Sequence, residues 1–503
     1  MSARPITRRG LLSTAAGALL AAGLPRAAAA EGHEALAEEA RRLAAAPHRD
    51  TRMPLAGPFA GLDYDAHRAI RPRPGGAGDL ALGPRFRADL MPPGFLLHDR
   101  VRVSLEGREI PFAAELFDFE PRYFDDPRLA PDEAAAMGFA GLRLRTPLNA
   151  PDIHDELAVF QGASYFRALG RGDVYGLSAR GLALGTGGAA PEEFPVFTAF
   201  HTGVEGRAIR VRALMESPSA TGAFSFLIHP GAPTVMEVEA TLFPRVPLAE
   251  AGIAPLTSMY FFGPMRRAVA DDFRPAVHDS DALVVLNGAG ERLWRPLANP
   301  ARLQLSALVD DGPRGFGLVQ SARDFAHFND PEAAYHRRPS AWVEPLGDWG
   351  PGAVVLVEIP TADEFHDNIV AFWRPAEPLG PGRHDFRYRL HWGAEPPAVT
   401  PMPVVGSASG RAILDDEALT HVVDFAGLAD PAGLVPDLAV AGAEHYGLSA
   451  FAVPEAGATR VSFKLVPGAA EAAEIRLVLR DTAGGALSDT WLWRWTAARD
   501  GGI

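Results

Sequence analysis

Hydrophobic positions along most of the chain come in short runs rich in Val, Phe and Leu. Gly, Pro, Asn or Asp cuts these runs roughly every 8 to 12 residues, the spacing of strands in an all-β sandwich. Val101–Leu105, Ala208–Leu214 and Leu283–Leu286 are such runs, and Asn287-Gly288 after the last is a hairpin signal. The exception lies near the start, where Ala37, Ala40 and Leu43 fall at helical spacing and predict one helix over Glu31–Ala46. Short helices are expected at Asp132–Met137 and Pro331–Tyr335. No sustained alternation of strand and helix follows, so an all-β fold is expected.

Turn-rich text from Trp373 to Gly382, then a strand Phe386–Trp392 and a looser stretch to Pro403, places a domain boundary near residue 397. The reading is therefore a large β-sandwich over 31–394 and an immunoglobulin-like sandwich over 400–503, with strands at Thr459–Val466, Glu474–Arg480 and Thr490–Thr496. Trp491, Trp493 and Trp495 alternate and share one sheet face, which suits packing between layers better than a sugar platform. Before all this, Arg8-Arg9 precedes an uncharged run from Gly10 to Pro25 and small residues at Ala28–Ala30. Residues 1–30 thus read as a secretory leader of the twin-arginine type, placing the mature protein in the periplasm with no membrane span after cleavage.

Composition narrows the chemistry. The 503 residues include no cysteine, which excludes disulfides, thiolate metal sites and cysteine nucleophiles. Acidic residues outnumber basic ones 62 to 48, a net charge of −14, so nucleic acid is a poor partner. Lys464 is the only lysine, which leaves little room for Schiff-base chemistry. HExxH, GxSxG and phosphate-loop patterns are missing, and Gly185-Thr186-Gly187-Gly188 reads as a turn. His278 near Asp279 and Asp281, or His366 beside Asp367, is more consistent with polar loops than with a metal shell. No metal and no cofactor are expected.

Five segments are too rich in rings and charges for simple turns: 160–167, 273–281, 323–328, 342–350 and 367–373. Together they hold the inventory of a carbohydrate cleft, in which flat rings stack on sugar C–H faces while carboxylates and guanidinium forks hold hydroxyls. The same residue types also build buried networks in large β proteins.

Val159-Phe160-Gln161-Gly162-Ala163-Ser164-Tyr165-Phe166-Arg167 and Tyr175-Gly176-Leu177-Ser178-Ala179-Arg180-Gly181 closely resemble the periplasmic glucan biosynthesis proteins of proteobacteria, the OpgG/OpgD (MdoG/MdoD) family, as do the other four segments. The twin-arginine leader resembles the D branch more than the G branch. The resemblance implies a galactose-mutarotase-like supersandwich joined to the immunoglobulin-like domain, and a substrate of osmoregulated periplasmic glucans with a β-1,2-linked backbone. It further implies an inverting endo-β-1,2-glucanase with two catalytic aspartates, placed by motif at Asp279 and Asp367.

Inversion needs a protonated acid and an ionised base, usually about 6.5 to 9.5 Å apart. Asp367 is assigned the acid and Asp279 the base, the two facing one another across a groove, with Asp281 and Asp348 as alternatives. His278 and His366 are given supporting roles. Tyr165, Arg167, Arg323, His327, Trp349 and Trp373 are the expected substrate contacts. Alternatives are a non-catalytic glucan scaffold serving the inner-membrane glucan synthase, and a mutarotase-like or lyase enzyme. A homodimer is an open expectation.

Overall fold

The computed structural model describes residues 24–73, 80–266, 271–393 and 400–500. Most of the expected leader and the boundary at 397 lie outside the described residues. The chain is all-β. An eleven-stranded sheet and a fourteen-stranded sheet pack face to face, and a four-stranded sheet completes the C-terminal part. Their common core is aromatic: Phe160 and Phe166 of the smaller sheet meet Phe226 of the larger at 5.1 and 4.9 Å between ring centroids. Edge-to-face and offset contacts of this kind add to the gain from burial itself.

The strands follow the alternation of the sequence. In Ala208–Glu216, Ile209, Val211 and Ala213 enter the inter-sheet core while Arg210 and Arg212 stay half-buried on the other face. The helix expected over Glu31–Ala46 spans Leu24–Ala44. Its Leu36, Ala37 and Ala40 lie on Ala199, Leu214, Ala223 and Phe243, closing the back of the larger sheet. The helix at Pro131–Ala136 forms as expected. The one expected at Pro331–Tyr335 does not; only a 3-10 turn over Tyr335–Arg337 is present. The Asp330 carboxylate accepts from the backbone N–H groups of Glu332 and Ala333, and Ala334 sits at φ +48°, so the chain is turned before a helix can propagate.

Beyond residue 400 the strands form a sandwich. Val404–Ala412, Asp415–Ala426, Ala458–Val466 and Glu444–Val453 make one layer, and Val435–Ala441, Ala472–Arg480 and Thr490–Thr496 the other. The second layer does not end at the domain edge. Thr490 and Trp491 pair in parallel with Leu293 and Trp294, so it continues the fourteen-stranded sheet. Trp491, Trp493 and Trp495 are buried in a core that also contains Trp294, Trp342 and Val284 of the N-terminal part, which is the packing role read from their alternation.

Candidate functional site

The smaller sheet supplies the floor. A tight turn at Gly162 and Ala163, with φ of +76° and +44°, reverses the chain into the strand Tyr165–Ala168, where Phe166 and Ala168 point to the core. Tyr165 and Arg167 therefore stand on the opposite face. Arg180 is directly across from Tyr165 in the neighbouring strand, its guanidinium 4.6 Å from the Tyr165 ring centroid and bonded to Thr257 and Glu192 at 3.0 and 2.5 Å. Arg167 stacks in the same way on Tyr175 at 4.3 Å.

The two aspartates reach this floor from separate loops hung on one stretch of backbone. Asp279 follows the two-residue strand Val277–His278 and donates its N–H to the carbonyl of Met259 at 2.8 Å. Asp367 precedes the strand Ile369–Pro375. Its neighbour Asn368 is buried, accepts from the Tyr260 N–H at 2.8 Å and donates to the Tyr260 and Ile359 carbonyls at 3.0 Å each. Residues 259 and 260 thus act as the common peg for both acids.

Their surroundings differ. Asp279 is only 4% exposed and is ion-paired to Arg338. Burial raises its carboxyl to about 6, against the pull of Arg338 and with help from the Asp367 charge. The expectation that both acids line an open groove is therefore corrected: Asp279 lies beneath the surface, where the strand pairing of Tyr260 with His278 and Arg338 enclose it. Asp367 keeps its contact with solvent, yet protein crowds it enough for desolvation to raise its pKa while Arg167, Arg180 and Arg338 act to lower it.

Arg338 is itself held firmly. It donates to the Ala333 carbonyl at 3.2 and 3.1 Å and lies 4.2 Å above the Tyr335 ring. It passes so close to Gly176 that a Cβ there would sit 2.9 Å from its side chain. Gln320 secures the other side, donating to the carbonyls of His278 and Tyr335 and meeting the His278 ring at 2.8 Å. His278 is thus a buried support, while His366 is exposed and bonded to Asp363 at 2.8 Å. Asp281 bonds the Ser321 N–H at 3.0 Å and lines the cavity at the junction with the C-terminal sandwich, and Asp348 caps the Gly350 N–H at 2.8 Å.

Of the expected substrate contacts, the structure brings Tyr165 and Arg167 to the acids and leaves the rest apart. Trp373 shares the inward side of its strand with Ile369 and Ala371 and is fully enclosed. Trp349 is buried edge-on to Phe386 and Tyr388. Neither ring offers a sugar a face, which corrects both expectations. Arg323 turns its guanidinium to the Arg338 carbonyl and the Ser340 hydroxyl. With His327 it lines that junction cavity, of about 590 Å³. Arg338, Asn368 and Gln320 escaped the sequence reading. Asn368 and Arg180 lay inside segments already singled out, whereas nothing local marked Arg338 or Gln320.

A model of the MdoG family, described as periplasmic glucan biosynthesis protein, matches residues 32–495. The glucans biosynthesis protein G of Vibrio cholerae is 45% identical over 474 residues, 91% of this chain and 85% of that one. Its namesake in Shewanella frigidimarina is 43% identical over 477 residues, 91% and 83% of the two chains. A solved polysaccharide lyase aligns with 71% of this chain and 44% of its own at 10% identity, but its TM-score of 0.22 is too low to carry an argument.

Proposed function

That this chain belongs to the periplasmic glucan biosynthesis protein family, MdoG, is the premise from which we propose that it is an inverting endo-β-1,2-glucanase of the periplasm. It would cut the backbone of osmoregulated periplasmic glucans and so set their length. The observation that carries this reading is that the Asp279 backbone and Asn368, the neighbour of Asp367, are both anchored on residues 259 and 260, which gathers two carboxyls whose pKa values are both raised. Asp367 is the acid. It meets solvent, and a sugar settling over Tyr165 and Arg167 would displace that water and raise its proton affinity further. Asp279 is the base. With a pKa of about 6 it is ionised at neutral pH, and because it is enclosed its proton must arrive through a relaying water or sugar hydroxyl.

Export by the twin-arginine route follows from Arg8-Arg9. That pair also favours the D branch, whereas the relatives matched carry the G name.

The test is release of oligosaccharides from linear and cyclic β-1,2-glucan, with the anomer of the first product followed by NMR. Asp367→Asn and Asp279→Asn should each lose roughly 10³-fold or more in rate while melting within a few degrees of the wild type. An unsaturated product would mean elimination. A second reading, a glucan-binding scaffold for nascent chains at the synthase, is favoured by the ion pair that occupies Asp279. Wild-type protein that binds the polymer and releases no reducing ends would establish it in place of hydrolysis.

A further inference from the structure

The outer face of the C-terminal four-stranded sheet carries features that the acid site does not use. In Ala458–Val466, Val461, Phe463 and Leu465 are buried in the core, so Arg460, Ser462 and Lys464 occupy the outer side. Residues directly opposed in a ladder share a face, and the strand Glu444–Val453 pairs Tyr446 with Lys464, Ser449 with Ser462 and Phe451 with Arg460. Tyr446 and Phe451 would fall on opposite sides of a regular strand. An irregularity between Tyr446 and Ser449 shifts the register by one residue and brings both rings to the outer face.

Both rings are 43% exposed, at the edge of the sheet. Tyr446 is steadied by its hydroxyl bond to Asp415 at 2.6 Å and by the Lys464 ammonium 5.3 Å from the ring centroid. Between the rings and the sheet's far edge lies the Asp424–Arg460 pair, joined by two bonds of 2.7 Å. That pair lines the junction cavity of about 590 Å³, whose opposite wall is His327, Arg323 and Asp324. Exposed rings interleaved with hydroxyls and a fixed charge fork run into a recess that sets Met265 and Trp294 beside Asp281, Arg323 and Asp324, a mixture that suits a sugar chain, with its apolar C–H faces and its hydroxyls, better than a purely apolar partner.

We propose that Tyr446, Phe451 and the Asp424–Arg460 pair form an accessory glucan-binding face that leads a second stretch of polymer into the junction cavity. The choice of glucan as ligand rests on the function proposed above, but the face itself stands on the register and the cavity. Its role is to hold long chains, so short oligosaccharides that reach only the Asp279 and Asp367 site should not depend on it.

The test compares wild type, Tyr446→Ala/Phe451→Ala and Asp424→Asn in full-length protein. It uses retardation in native gels containing linear β-1,2-glucan, together with kcat and KM on polymer and on short oligosaccharides. The double variant should bind polymer roughly ten-fold more weakly and raise KM on polymer alone, with kcat and short-substrate kinetics unchanged and a wild-type melting temperature. Asp424→Asn should weaken binding less, in the same direction. Unchanged retardation and KM in both variants would overturn the proposal, as would a dimer seen by sedimentation that the double variant dissociates without altering glucan binding. Wild type retarded through these rings but releasing no reducing ends would uphold this face and sink the hydrolase reading instead.

Discussion

Two ionic clusters, one around Asp279 and Asp367 and one at the junction with the C-terminal sandwich, use buried carboxylates in opposite ways. At the junction Asp489 is fully buried and ion-paired to Arg292, accepts from the Thr400 hydroxyl at 2.5 Å and takes the Val404 N–H at 3.0 Å. Its hydrogen-bonding capacity is largely filled, and it ties the two sandwiches together where their sheets join. On the floor strand's side, Asp279 is ion-paired to one arginine, and among the described residues Asp367 accepts no hydrogen bond although three arginines influence it. A filled carboxylate is a rivet, whereas an unfilled one among cations is prepared to take hydroxyls from something else.

Removing the arginine on each side should break this comparison differently. Arg338→Leu leaves Asp279 enclosed without its partner and with its pKa pushed further above 6, so at pH 7 the base would be protonated. The expected outcome is a loss of roughly 10²-fold in kcat/KM, partly recovered by assaying at higher pH. A loss that does not respond to pH would mean that Arg338 contacts substrate instead. Arg292→Ala strips the partner from a buried carboxylate and should destabilise by about 3 to 5 kcal/mol in denaturant melts. Protein that remains folded should cut glucan at the wild-type rate.

Gly176 sharpens the contrast without touching a charge. A methyl group there would meet the Arg338 side chain at 2.9 Å, closer than a carbon contact tolerates, so Gly176→Ala should ease Arg338 away from Asp279. A loss of about ten-fold in kcat with KM held is expected, together with a small drop in melting temperature. Gly380→Ala, at an open position, is the control that should change neither.

The all-β architecture was legible because strands such as Ala208–Glu216 alternate through their centre, where Ile209, Val211 and Ala213 are buried and Arg210 and Arg212 are half-buried; the pattern ends at Leu214, which the N-terminal helix covers. Asp279 and Asp367 could be singled out because the segments around them are long and distinctive, and the structure gathers those segments on residues 259 and 260. The rings were not. Trp373 lies in the same motif as Asp367, but a sequence does not say which side of a strand faces the core, and six residues along the chain carry the ring from the Asp367 loop to the inter-sheet side. Conversely, Tyr446 and Phe451 look like opposite-face residues until the register shift between them is seen. Arg338 and Gln320 were invisible for another reason: their partners are 59 and 42 positions away, and nothing in the local text announces a contact made by folding.

A pH signature also separates the two clusters. Asp279 has a folded-state pKa of about 6 against an ordinary 3.8, so the folded protein holds this proton more tightly than the unfolded chain. The stabilisation that comes with it is fully present below about pH 4 and is lost as pH rises through 6. Asp279→Asn cannot titrate. Its stability relative to wild type should therefore improve between pH 4 and pH 7, by on the order of 2 kcal/mol, and then level off. In wild type the same ionisation should appear as an acid limb in kcat/KM near pH 6, because the base must lose its proton to work. A stability difference that stays flat across that range would mean that Arg338 fully offsets the burial of Asp279, which would then resemble the rivet at the junction.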